Sequence, residues 1–259
     1  MLADTLVVTW RNLKRIPRIP ELAVFAVLQS VMFVLLFAFV FGGAIAMPGG
    51  GSYREYLMPG IFAQTLTFAA ATTAIGMVDD MQKGLVDRFR SLPMARSAFL
   101  TGRTFADVAY NAGILTVLML SGLAVGWRVR SGVVSFLAGV ALALLFAYAM
   151  SWLGVWLGML VPTVEVGQQV GFTVLFPLTF VSNAFVPLKA LPSWLQVFAQ
   201  WNPVSTLTAS LRHLWGNPTA PVGAGFPAQH PVLLTVLWVI VLVAVFAPLG
   251  VLRYRRTSR

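Results

Sequence analysis

The sequence predicts an all-α integral membrane protein with six transmembrane helices, and two observations carry that prediction. Of its 259 residues, 58% are hydrophobic and only 10% are charged. A soluble domain carries roughly a quarter charged residues, because its surface must be wetted. The apolar residues also gather into runs of about 20, the length a helix needs to cross the hydrocarbon core. Six such runs occur, at residues 22–41, 56–78, 104–125, 133–160, 167–186 and 232–252. Lipid is therefore the expected solvent for residues 21–252, the transmembrane domain. Cysteine is absent, which excludes disulfides and thiolate chemistry. The net charge of +10 does not imply nucleic acid, because the basic residues sit in short blocks between apolar runs.

Residues 1–20 precede the first run. Leu2, Leu6, Trp10 and Leu13 recur at helical spacing, while Asp4, Arg11, Arg15 and Arg18 lie largely off that stripe. This predicts a basic amphipathic helix in the membrane interface, with Leu6, Trp10 and Leu13 on its apolar side and Pro17 and Pro20 ending it. A signal peptide also begins with basic residues before an apolar run, and Ala44-Ile45-Ala46 resembles its processing site. An apolar run of about 20 exceeds the 7–15 of a signal core, so the run is read as a retained span.

Six spans place both ends on one side. That side gathers Arg11, Lys14, Arg15 and Arg18, then Lys83, Arg88, Arg90, Arg96 and Arg103, then Arg253, Arg255, Arg256 and Arg259 of the basic tail 253–259. The other side holds Arg54, Arg128, Arg130, Lys189 and Arg212. Thirteen against five makes the first side cytoplasmic by the positive-inside rule.

Residues 79–103 form the main cytoplasmic loop. Met81, Leu85, Phe89 and Leu92 recur every three or four residues until Pro93 stops the helix. Asp79 and Asp80 suit its start and Arg88 and Arg90 its later turns, as the helix dipole prefers. An amphipathic helix held between two spans fits a groove on a partner; it also fits the inner leaflet with no partner at all.

Residues 187–231, on the other side, are too apolar for a free loop. Pro192 can start one short helix, and Asn202-Pro203 can cap and start a second that ends at Gly216. With Trp194, Trp201 and Trp215 at hand, both are expected to dip into the outer leaflet as re-entrant helices. Pro177 is expected to kink the fifth span near its middle.

Chemistry is sparse. No phosphate-cradling loop and no Gly-Lys dipeptide occurs, and His213 and His230 alone make a poor metal site. No run carries an ionisable residue near its centre; Asp107 and Glu165 come closest, near the cytoplasmic boundary, and Glu165 is expected to cap the fifth span. Ion-driven carriers keep such groups deep in the bundle, whereas a transporter powered from outside its membrane domain does not need them. Neutral groups do occur inside: Gln29, Gln64, Thr65 and Asn111, with Phe68, Phe172 and Phe176, suit the path of an amphipathic solute. The pairs Gly122/Gly126, Gly154/Gly158 and Gly167/Gly171 put small residues one turn apart for close helix packing.

The loop carrying Lys83-Gly84, Arg88, Leu92-Pro93, Arg96 and Gly102-Arg103 resembles that of type-2 ABC exporter permeases of the daunorubicin- and multidrug-resistance kind. The segment from Leu191-Pro192 through Asn202-Pro203 to Arg212 resembles the same family's signature before its last span. The resemblance implies a half-transporter with no cofactor of its own. It would pair with a second or similar permease and with two copies of a separate ATPase subunit that binds ATP and Mg. Met81, Lys83, Gly84, Leu85, Arg88, Phe89, Leu92 and Pro93 would dock that subunit, and Pro192, Asn202, Pro203 and Arg212 would form the extracellular motif. An ion-coupled carrier and a non-transporting membrane scaffold remain as rival readings.

Overall fold

The computed structural model describes residues 2–15, 28–29, 31–41, 52–85, 96–185, 187–219 and 225–256, and among them no strand occurs. In chain order the helices are α1 (Leu2–Arg15), α2 (Tyr53–Gln82), α3 (Arg96–Val125), α4 (Val133–Gly158), α5 (Val164–Phe180), α6 (Ser193–Trp201), α7 (Pro203–Trp215), α8 (Phe226–Gln229) and α9 (Pro231–Arg256). A short helical stretch at 31–36 passes into a π-helical turn, Phe37–Phe41.

Four helices among the described residues are long and apolar enough to cross a membrane: Tyr53–Gln82, Ala98–Val125, Val133–Gly158 and Pro231–Tyr254. They answer to the second, third, fourth and sixth expected runs. The first run lies only partly within the described residues. The fifth corresponds to α5, whose 17 residues reach about 25 Å at 1.5 Å per residue, short of a hydrocarbon core of about 30 Å. Pro177 sits in its last turn rather than at its middle, because the chain leaves the helix at Phe180. Thr163 is the N-cap, its hydroxyl accepting from the Val166 amide at 3.4 Å, and Glu165 stands in the first turn, where its carboxylate suits the helix dipole.

The other departure concerns the 79–103 segment. Asp79, Asp80 and Met81 belong to the last turn of α2, not to the start of a separate helix. Gly84, at φ +66°, then breaks the path, and its amide closes on the Met81 carbonyl at 3.0 Å. A left-handed residue just past a helix end is the usual glycine stop. The spacing Met81–Leu85–Phe89–Leu92 is thus interrupted after Met81. At the far side of the segment α3 already begins at Arg96, so Gly102 and Arg103 lie inside a helix.

Helix α2 is the centre of the bundle, packed by α4, α5 and α7. Its seam with α4 is backbone to backbone: a Cβ at Gly154 would strike the Ala70 carbonyl, and one at Gly158 the Ala74 carbonyl. The glycine pair therefore joins helices within this chain. Helix α1 lies along the start of α3. Val8 is fully buried against Gly102, and the Thr9 hydroxyl donates to the Gly102 carbonyl at 3.0 Å. At this end Phe99 stacks on Tyr254 of α9 with ring centroids 5.9 Å apart. At the opposite end Phe62, Trp127 and Trp215 meet edge to face at 5.3 to 5.7 Å. One core fills each end of the bundle.

Candidate functional site

A cavity of about 300 Å³ opens between α2, α3, α5 and the helical stretch before residue 41. On α2 it is walled by Ile61, Gln64, Thr65, Phe68, Thr72 and Ile75. These fall three or four apart and so share one face of a 3.6-residue helix. Tyr110, Asn111 and Ile114 project from α3, and Phe172, Phe176 and Phe180, each four apart, from α5. Gln29 and Phe33 complete the wall. All seven residues singled out in the sequence as a solute path, Gln29, Gln64, Thr65, Phe68, Asn111, Phe172 and Phe176, stand on this one wall.

The lining is apolar with a few neutral polar groups. Phe68 and Phe172 face each other at 5.7 Å, and Phe176 stacks on Phe180 at 4.2 Å. Gln64 and Asn111 are buried, and Asn111 is held by its amide nitrogen, which donates to the Asp107 carbonyl one turn back at 2.8 Å. Among the described residues no Asp, Glu, Lys, Arg or His lines the cavity. Such a pocket can desolvate an apolar body while its amides fix a polar edge.

Charge is stored just beyond the cavity, towards α1. Arg103 of α3 forms an ion pair with Asp80 of α2, and the same nitrogen donates to the Gly76 carbonyl at 3.0 Å. Asp80 is fully buried and Arg103 nearly so. One turn further in, the Thr73 hydroxyl donates to Asp107 at 2.9 Å. Asp80 and Arg103 both lie inside long helices rather than at the ends of the 79–103 loop, tolerated there because each neutralises the other. By contrast Lys83 pairs with Asp79 at 2.7 Å on the surface, where such a contact is worth little.

Of the expected docking residues, Met81, Lys83, Gly84 and Leu85 gather at the end of α2. Arg88, Phe89, Leu92 and Pro93 lie outside the described residues. On α1, Trp10 is exposed with the Lys14 ammonium 5.1 Å from its ring centroid. Leu6 and Leu13 belong to the same helix, with side chains outside the description.

The opposite end is clamped by the motif Pro192, Asn202, Pro203 and Arg212. Pro192 precedes α6, and Asn202-Pro203 opens α7, whose first free amide, Val204, donates to the Asn202 side chain at 2.8 Å. The same Asn202 amide donates to the carbonyls of Leu178 and Val181, both at 2.7 Å, where α5 ends. Arg212, counted among the outer-side basic residues, is buried to 2% exposure. Its guanidinium donates to the Tyr56 carbonyl at 2.9 Å and to those of Asn183 and Ala184 at 3.0 and 3.1 Å. It also lies 3.5 Å from the Tyr56 ring centroid. It joins α2, α7 and the 181–185 turn.

The turn from Trp127 to Gly132 is part of the same clamp. Trp127 is buried and donates to Asn217 at 2.9 Å, and the Asn217 amide returns to the Arg128 carbonyl at 2.8 Å. Arg130 grips Glu55 with two bonds of 2.7 and 3.2 Å. Glu55 had no assigned role; a lone acid near the start of an apolar run was the available signal.

The family model described as "ABC-2 type transporter" matches residues 3–214. The chain is 31% identical over 254 residues, covering 98% of itself and 87% of the relative, to the "Daunorubicin resistance ABC transporter permease protein DrrB1" of Streptomyces coeruleorubidus. It is 23% identical over 256 residues, 99% and 90% of the two chains, to the "Probable doxorubicin resistance ABC transporter permease protein DrrC" of Mycobacterium tuberculosis. To the "Inner membrane transport permease YadH" of Escherichia coli it is 26% identical over 190 residues, 72% of each chain.

Proposed function

This chain belongs to the ABC-2 type transporter family, and on that premise we propose that it is the membrane-spanning permease subunit of an exporter. In this reading it moves an amphipathic drug, antibiotic, lipid or glycolipid outward from the inner leaflet. Two permease copies, or this chain with a similar one, form the pathway. Two copies of a separate ATPase subunit bind ATP and Mg, and this chain holds no cofactor. Six spans, with the 28–41 stretch in the first and α5 in the fifth, put both termini in the cytoplasm of a bacterial cell. α6 and α7 then sit in the outer leaflet as re-entrant helices. Residues 1–20 are the interfacial helix, 79–103 the docking loop and 253–259 the basic tail.

One observation carries the reading. The cavity between α2, α3 and α5 has an amide- and hydroxyl-flecked aromatic wall with no charged side chain among its described residues. A wall of that chemistry suits a neutral or weakly polar amphipath better than an ion. Helix α2 supplies both one whole face of the cavity and, at Met81 and Lys83, the approach to the docking loop. A displacement of that loop by ATP-driven closure of the partner pair is therefore transmitted to the cavity along a single rigid element.

Asp107 is the one observation that favours a second, ion-coupled reading, because its carboxylate faces Thr73 between α2 and α3. The test uses vesicles reconstituted with the ATPase partner, ATP supplied and the proton gradient collapsed by an uncoupler. Export of a fluorescent amphipath should persist, and Asp107→Asn should leave its pH dependence unchanged. Loss of wild-type export under the uncoupler overturns the exporter reading and promotes the ion-coupled one.

A further inference from the structure

A second cavity of about 310 Å³ lies at the end away from α1, between the 181–185 turn, α6, α7, α8 and the start of α9. Its wall is proportionately more polar than that of the first. The polar side chains in its wall are three amides, Asn183, Gln200 and Gln229, with the hydroxyls of Ser205, Thr206 and Thr219 and the His213 imidazole. Among the described residues no aromatic carbocycle and no Asp, Glu, Lys or Arg lines it. Arg212, next to the lining residue His213, spends its guanidinium on three backbone carbonyls. Asn183 is 5% exposed, and its side-chain oxygen accepts no hydrogen bond from a described residue.

We propose that this cavity is a binding site for an uncharged, polyhydroxylated group of the sugar type. The argument is one of matching. An amide presents two donors and an acceptor, and a hydroxyl presents both kinds at one atom. A ligand of hydroxyls satisfies such a wall from either direction. A phosphate or carboxylate would enter without a fixed counter-charge from a described wall residue, and an apolar group would leave the buried Asn183 oxygen unpaired at a cost of about 1–3 kcal/mol. Phe180 lines the first cavity and Asn183 the second, so the two are divided by one turn of chain. The site thus lies where the polar portion of an amphipath leaving the first cavity would arrive. That location rests on the exporter reading; the ligand class does not.

The chain has no native cysteine, which gives a clean probe at Ala209, a half-buried residue of α7 in this wall. The full-length Ala209→Cys protein is reconstituted in vesicles without ATPase or ATP, and maleimide labelling is timed. Octyl β-glucoside, below the concentration that disrupts the vesicles, should slow labelling at least fivefold. A choline-headed amphiphile of equal chain length should not. The added substitution Gln200→Leu, at a half-buried wall position, should abolish the difference while leaving the unprotected labelling rate within twofold. If free glucose protects as well, the ligand is a soluble carbohydrate; if only the glucoside does, it is a membrane-borne headgroup. Equal protection by both amphiphiles, no protection by either, or protection that survives Gln200→Leu overturns the site. Because nothing is transported, a failed export assay leaves this result standing, and the reverse.

Discussion

The Arg212 guanidinium rests on the ring of Tyr56, 3.5 Å from its centroid, while donating at 2.9 Å to the carbonyl of that same residue. Its other nitrogen, Nη2, reaches the Asn183 and Ala184 carbonyls, so a single side chain ties α2, α7 and the turn after α5. Arg212→Ala should strand those acceptors in a buried site and cost about 2–5 kcal/mol. Arg212→Lys, a point donor in place of a planar fork, should recover only part of that. Tryptophan-fluorescence melting of the purified variants checks both. Equal melting temperatures for all three proteins would show that the clamp carries no stability.

The Asp80–Arg103 pair makes a different prediction, because removing one partner leaves a buried charge. Asp80→Asn or Arg103→Gln alone should each cost about 3–5 kcal/mol, whereas the double substitution should cost less than the sum. A double-substitution cycle on denaturant or thermal midpoints measures the coupling. Additive losses would mean the two side chains do not depend on each other.

Close packing of α2 on α4 is tested by contrast. Gly158→Val would drive a branched side chain into the Ala74 carbonyl and Met77. Overpacking of this kind costs about 1–3 kcal/mol or more, and here the obstacle is backbone. Gly113→Ala, on α3, meets nothing within 4 Å and should stabilise by about 0.4–1 kcal/mol through a less flexible unfolded chain. The sign of the two shifts is the measurement.

Orientation follows from cysteine labelling in intact cells. Lys83→Cys replaces an exposed side chain at the end of α2, and Thr219→Cys an exposed one beyond α7. An impermeant maleimide should label the second from outside and the first only after the membrane is opened. Reversed labelling would put the 79–103 segment where no ATP-driven subunit reaches it.

What the sequence made legible was local. Pro192 and Asn202-Pro203 set the starts of α6 and α7, and Gly216, at φ +67°, ends the second, because capping chemistry acts within a few residues. The polar members of the first cavity stood out because an amide inside an apolar run has few places to go. The pairings were illegible. Glu55 meets Arg130 across 75 positions and Asp80 meets Arg103 across 23, and no periodicity encodes such distances. The same omission misplaced the helix ends. Apolar character stops near Val78 and resumes at Thr104, yet α2 runs to Gln82 and α3 begins at Arg96, since Asp80 and Arg103 pair with each other rather than with solvent.

The Arg212 clamp also bears on biogenesis. The chain emerges from the ribosome N-terminus first, so Tyr56 is made 156 positions before the residue that will fasten it. Until Arg212 is made, the 181–185 turn lacks the guanidinium that gathers its carbonyls.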